Sequence, residues 1–205
     1  GLRKKSKITG DIEFYSTVRT FRVIHDCDLA AVLIDADKGF NNQDKDIIRH
    51  VIDSGKGLII VINKWDLLKK NTHTQKAFRQ DMVDQFPALA YYPILFISVS
   101  HNLRTRQVLK ISIKVFKELK RKLKTAEIND FLKKAISFHT PPIIKGKNIT
   151  IKYGVQVNNS PPLFALFSNH PHLIPVQYKR YLENCFRQKF GFEGVPIKIS
   201  FRENK

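Results

Sequence analysis

The sequence predicts two domains of different texture: an α/β domain on a parallel sheet over residues 1–124, then a small α+β domain over 125–205. Three observations carry this. The first half contains three apolar runs without alternation, "DLAAVLIDA", "GLIIVIN" and "YPILFIS", separated by helical patterns. Strands buried on both faces of a parallel sheet read as such runs, with helices crossing over between them. In the second half "NITIKYGVQV" alternates instead, as a sheet covered on one face does. Between them a basic helical pattern breaks near residue 124.

Taken in order, Phe14, Val18, Phe21 and Ile24 share one side of a helix over 12–25. "DLAAVLIDA" is the first strand. "NNQDKDIIRHVIDSG" offers a polar start, Ile47, Ile48, Val51 and Ile52 on one face, and Gly55 at the C-terminal end. "GLIIVIN" is the second strand, a polar helix covers about 72–86, and "YPILFIS" is the third strand. Residues 104–124 place Val108, Ile111, Val115, Leu119 and Leu123 at helical spacing, with nine basic residues and the single acid Glu118. Thr125 is the expected N-cap of the next helix, whose apolar side is Ile128, Phe131, Leu132 and Ile136. Ile149, Ile151, Tyr153, Val155 and Val157 are expected to share the covered face of a strand. "PPLFALFS", a helix over "PVQYKRYLENCFRQKF" and "VPIKISF" complete an order of helix, strand, strand, helix, strand: three strands under two helices.

The chain is 42% hydrophobic and 26% charged, which fits a folded globular protein and excludes a largely disordered one. No stretch approaches the roughly 18 uninterrupted apolar residues of a membrane span. Cys27 and Cys185 stand alone, suggesting neither a disulfide framework nor a zinc site, so a reducing cytoplasm fits. Lys plus Arg number 36 against 18 Asp plus Glu, a formal net charge of +18 that favours polyanionic partners.

"NKWD", Asn63 to Asp66, directly follows the second strand, at the carboxyl end where open α/β sheets bind ligands. A guanine presents two adjacent donors, N1–H and the exocyclic amine, and one carboxylate accepts both. Adenine puts an acceptor at that ring nitrogen and would leave the carboxylate unpaired. Asp66 would therefore select guanine over adenine. Asn63 can bond the other edge of the base, and the alkyl stem of Lys64 can lie along the ring. "ISVS", about 35 residues later, falls where a second base-contacting loop belongs.

With these motifs, "GLRKKSKI", "FYSTVRTFRVIHDCDLAAVLIDADKGFNNQDKDI", "GLIIVINKWDLL", "HTPPIIKGKNITIKYGVQV", "PPLFALFSN" and "YKRYLENCFRQKFGFEGVPIKISFR" resemble the bacterial ribosome-assembly GTPases of the Der (EngA) family over almost the whole chain. The resemblance implies a partial Ras-like P-loop GTPase domain, with its N-terminal strands and phosphate loop missing, followed by a KH-like domain. It implies GTP or GDP as ligand, with Mg2+ only in the complete protein, and the large ribosomal subunit, its rRNA and the parent chain's other GTPase domain as partners. Gly1 would be the last residue of the family's phosphate-sensing Asp-Thr-Ala-Gly. Asn63, Lys64 and Asp66 would read guanine, joined by Ser98 and the backbone N–H of Val99. The family usually reads Ser-Ala-Leu or Ser-Ala-Lys at this loop, and the larger Val99 is a departure.

No G-x-x-x-x-G-K-[S/T] occurs in these residues. Phosphoryl transfer rests on positioning and charge neutralisation by that loop and magnesium, so this stretch retains base recognition without catalytic apparatus. The KH-like half has no G-x-x-G clamp. Lys145, Lys147, Lys152, Lys198 and Arg202 could still hold rRNA phosphates, which require only positive charge. A second reading is thus a non-hydrolysing RNA or ribosome-binding module whose nucleotide fold is vestigial.

His170 and His172 lack further ligands at metal spacing and read as loop or packing residues. His101 and His139 have no evident catalytic partner in sequence. Asp35 and Asp37 read as strand-terminal turn residues, and Tyr178, Tyr181, Phe186 and Phe190 as core.

Overall fold

The computed structural model describes residues 19–68 and 74–204. Gly1, Phe14 and Val18 lie outside the described residues. The chain divides into two compact units: Gly1–Glu118 with Glu193–Pro196, and Leu119–Phe192 with Ile197–Lys205.

In the first unit residues 19–26 are helical. Then come β1 (Leu29–Asp35), α1 (Asn42–Asp53), β2 (Gly57–Asn63), α2 (Thr74–Gln85), β3 (Ile94–Phe96) and α3 (Thr105–Leu119). The sheet is parallel throughout in the order β1-β2-β3, with Asp35 level with Asn63 and Ile62 with Phe96. This register brings the carboxyl ends of the strands together. Leu58 to Ile62 of the central strand are almost wholly buried, which is why β2 reads as an unbroken apolar run.

Helix α1 starts in a capping box: the Asn41 side chain accepts the Asp44 N–H, and the Asp44 carboxylate accepts the Asn41 N–H, both at 3.1 Å. Its Ile48 and Val51 join Val32, Ile34, Ile60 and Ile62 in the core. Residues 193–196 also belong here. The Leu58 N–H donates to Gly194 O and the Gly194 N–H to Tyr91 O, each at 2.8 Å. Gly194 sits at φ +77°, where an added Cβ would come within 2.5 Å of Val115 Cγ2. Only glycine satisfies both demands.

The second unit runs α4 (Thr125–Phe138), β4 (Ile151–Asn159), β5 (Pro162–Ser168), α5 (Val176–Phe190) and β6 (Lys198–Glu203), the expected order. Its sheet is β4-β5-β6, antiparallel then parallel. Ile128, Phe131 and Leu132 of α4, Phe164 and Leu166 of β5, and Tyr178, Leu182 and Phe186 of α5 are buried. The Tyr178 hydroxyl donates to His139 O and the Tyr181 hydroxyl to Ala135 O, both at 2.8 Å, supplying donors to carbonyls at the end of α4. Tyr178 and Phe186 are core as expected, with Tyr181 and Phe190 partly buried.

Three expectations are corrected. The basic helix ends at Leu119, not 124, because the Gln156 side chain takes the backbone groups that would have continued it. Its oxygen accepts the Leu123 N–H at 2.7 Å and its nitrogen donates to Arg121 O at 3.0 Å. Thr125 is the first helical residue and Lys124 the cap, whose N–H donates to Glu127 Oε2 at 3.4 Å. The series Ile149 to Val157 does not share one face. Register shifts between Ile151 and Tyr153 and between Gln156 and Asn158 turn Tyr153 and Val157 outward. Gly154 takes the inner position, where an added Cβ would lie 2.6 Å from Leu166 Cδ2 and 2.8 Å from Leu132 Cδ1. Such close packing leaves room for no side chain, and the bulge delivers glycine to the spot.

No helix among the described residues is long and apolar enough to cross a membrane.

Candidate guanine-base site

Strand β2 hands the chain to Lys64, held left-handed at φ 58° and ψ 33°, and a 3-10 turn follows over Trp65–Leu67. The turn is anchored twice. The Trp65 N–H donates to Ile97 O at 3.0 Å. The indole, 2% exposed, packs against Phe96 and Phe78 with ring centroids at 4.4 and 5.6 Å. Burying Trp65 fixes the direction of the next residue, so Asp66 is presented with its side chain only 19% exposed.

The partner loop leaves β3 through Ile97, whose N–H donates to Ile62 O at 2.8 Å. Ser98 is fully buried and closes a tight loop with Leu103 through two backbone hydrogen bonds. The Ser98 hydroxyl oxygen accepts the His101 N–H at 3.2 Å and lies 3.0 Å from the Ser100 hydroxyl. The loop ends where Thr105 donates its hydroxyl to Asn102 Oδ1 at 2.6 Å, as α3 begins.

One hydrogen bond joins the two loops: the Val99 N–H donates to Asn63 Oδ1 at 3.2 Å. Nearby, His101 Nδ1 lies 3.4 Å from Asp66 Oδ2. From the end of β1, Asp35 Oδ2 accepts Lys64 Nζ at 2.7 Å, while Asp35 Oδ1 accepts the Asp37 N–H at 3.2 Å. The Lys64 ammonium holds the Asp35 carboxyl below the usual carboxylate range, and Asp35 raises Lys64 in turn. The pair is exposed to solvent, so its contribution to stability is small.

Asn63, Lys64, Asp66, Ser98 and Val99 therefore sit together at the carboxyl edge of the sheet. Lys145, Lys147, Lys152, Lys198 and Arg202 lie in the second unit, all exposed. Lys145 and Lys147 occupy the turn closed by Ile144 and Lys147, Lys152 the first shift of β4, and Lys198 and Arg202 strand β6. Two contributors escape a reading by motif: Asp35 as partner of Lys64, and His101 beside Asp66. The signal for Asp35 lies in the two runs "LAAVLID" and "GLIIVIN", which end level as parallel neighbours. His101 is placed by the Ser98 to Leu103 closure, which no spacing announces.

The donors and acceptors here fit a guanine base: a carboxylate for paired N–H donors, an amide for the other edge and a lysine stem for the ring face. Among the described residues no group of three or more His, Cys, Asp or Glu could hold a metal ion.

Residues 8–118 match the family model of the elongation factor Tu GTP-binding domain, and residues 122–202 that of the KH-domain-like C-terminal region of EngA bacterial GTPases. GTPase Der of Fusobacterium nucleatum is 41% identical over 206 residues, covering 100% of this chain and 47% of that protein. GTPase Der of Amoebophilus asiaticus is 39% identical over 203 residues, covering 99% and 47%. A structure of Aquifex aeolicus Era bound to GDP and aluminium fluoride aligns with a TM-score of 0.48 at 16% identity, over 99% of this chain and 73% of that one. The chain spans about half the length of the curated relatives it matches. With the Elongation factor Tu model covering more than half of it and Der proteins matching it end to end, the chain belongs to the Der (EngA) family of GTP-binding proteins.

Proposed function

We propose that residues 1–124 bind the base of GTP or GDP through Asn63, Lys64, Asp66, Ser98 and the Val99 N–H, and that residues 125–205 act as a KH-like domain. The chain is read as the C-terminal part of a GTP-binding protein acting in assembly of the large ribosomal subunit. Hydrolysis, Mg2+ and phosphate sensing, including any role of Gly1, belong to the complete protein. So does pairing with a second GTPase domain. Exposed Lys145, Lys147, Lys152, Lys198 and Arg202 are assigned to rRNA phosphates.

The observation that carries this is the Asn63 to Val99 hydrogen bond, which holds two strand-end loops around the Asp66 carboxylate. Without a phosphate cradle affinity should be weak, so the test is an amide-shift titration with millimolar GDP and ADP. Shifts at Lys64, Val99 and Ser100 with GDP alone support the reading. Equal shifts with both nucleotides, or none, defeat it.

The charge of +18 favours a second reading, a non-hydrolysing RNA or ribosome-binding module. It predicts salt-dependent rRNA binding that GTP does not change.

A further inference from the structure

In the second unit α4 and α5 pack on the sheet face that carries Gly154, Phe164 and Leu166. Gly154 and Leu166 point toward α4, where Gly154 packs against Leu132 and Ile128. Alternation therefore turns Tyr153 and Phe167 to the opposite face. There they pair across β4 and β5, rings 4.5 Å apart between centroids and within 12° of parallel. Arg202 on β6 is level with Phe167, so one row across three strands reads Tyr153, Phe167, Arg202. The next rows on this face hold Val155, Ala165 and Ser200, then Leu163 and Lys198. None of these residues is acidic.

A cross-strand aromatic pair inside a core would need no further explanation. This one is not inside a core: Tyr153 is 39% exposed on an edge strand, and Arg202 and Lys198 are exposed beside it. An exposed ring at the sheet edge with cations on the same face matches the two parts of a single-stranded nucleic acid, whose bases stack on rings while its phosphates take the charges. A protein partner would find no carboxylate in these rows to pair with its own cations.

We infer that the open face of the β4-β5-β6 sheet is a stacking platform for single-stranded RNA. A base extends the stack on the outer face of Tyr153, whose inner face Phe167 covers, and Arg202 and Lys198, both on β6, hold phosphates along the same side of the sheet. This deepens the assignment of the second unit to rRNA and rests on it. It moves recognition from phosphate contact alone to stacking, at a place distinct from a G-x-x-G clamp.

The test uses the 205-residue chain and fluorescence anisotropy with a labelled single-stranded RNA of about 12 nucleotides, and with an abasic strand of equal length, at about 50 and about 200 mM salt. Tyr153→Leu with Phe167→Leu should weaken binding to the RNA about 10-fold or more, the scale of one stacked base, without changing the salt slope. Binding to the abasic strand should be weak and equal for both proteins. Arg202→Gln should lower the salt slope by about 0.7. Tyr153→Trp should keep RNA affinity, separating stacking from folding. A leucine variant that melts as the parent does and binds RNA equally well overturns the platform. A loss confined to Lys145→Gln with Lys147→Gln also overturns it, while leaving the rRNA assignment intact. If the parent chain binds neither strand at the lower salt, both fall.

Discussion

The Val99 N–H donates to the side-chain oxygen of Asn63 across the gap between β2 and β3. The residue that opens the base-reading motif is thereby tied to the loop 36 residues on, and the two contribute to one site as a unit. Asn63→Ala removes this bond, costing about 1 kcal/mol of stability. It should also broaden the amide signals of Val99 and Ser100. Urea melts and amide spectra check both; sharp, unshifted signals would show that the loops hold their places independently.

Lys64 combines a left-handed backbone with an ion pair to Asp35. Lys64→Val should cost about 1–2 kcal/mol through backbone strain. Lys64→Gly relieves the strain but lets the Asp35 carboxyl rise toward its ordinary value. The pair's small contribution is present above the ordinary carboxylate range and is lost as pH falls through the depressed value of Asp35. Carboxyl NMR titration of Asp35 in Lys64→Gly measures that rise.

Gly154 lets β4 approach α4 more closely than any side chain allows. Gly154→Ala should destabilise the second unit by about 1–3 kcal/mol through overpacking. Leu132→Ala removes one of the two clashing groups, so the double substitution should cost less than the sum of the two single ones. Strict additivity of the two substitutions would contradict the packing described.

Burial of Tyr178 pushes its phenol up to about 12, and its hydroxyl donates to His139 O. The neutral ring contributes stability that is complete below the ordinary tyrosine range and is lost as pH rises toward about 12. Ultraviolet titration should show one tyrosinate forming near that value, absent in Tyr178→Phe. If both proteins titrate alike, the hydroxyl is not held as described.

Among the described residues β1 pairs only with β2, and Leu33 on it is 60% exposed. An exposed apolar side chain of this size promotes association. Leu33→Lys should raise the concentration at which the chain stays monomeric by light scattering, and an unchanged threshold would place the association surface elsewhere.

The parallel sheet was legible because β2 is buried on both faces and shows an unbroken apolar run, and the base loop because Asn63 to Asp66 sits at that run's end. The alternation of β4 misled, since a period of two says nothing of a bulge. Tyr153 reads as core by spacing and stands outside because Gly154 is the only residue that fits within. The end of α3 was hidden for a similar reason: Gln156, more than 30 residues away, takes the backbone groups of Arg121 and Leu123 just beyond it. Residues near in sequence announced themselves through periodicity, while Asp35, set by strand register, and His101, set by the Ser98 to Leu103 closure, did not.

The most direct test of guanine recognition is Asp66→Asn, with GDP and xanthosine diphosphate in competition, read by saturation-transfer NMR at millimolar nucleotide. A carboxylate accepts the two donors of guanine, whereas an amide donates to the oxygen that xanthine carries in place of the amine. The parent chain should favour GDP and the variant xanthosine diphosphate. Preference for GDP unchanged by the substitution would contradict the assignment of Asp66 and the site built around it.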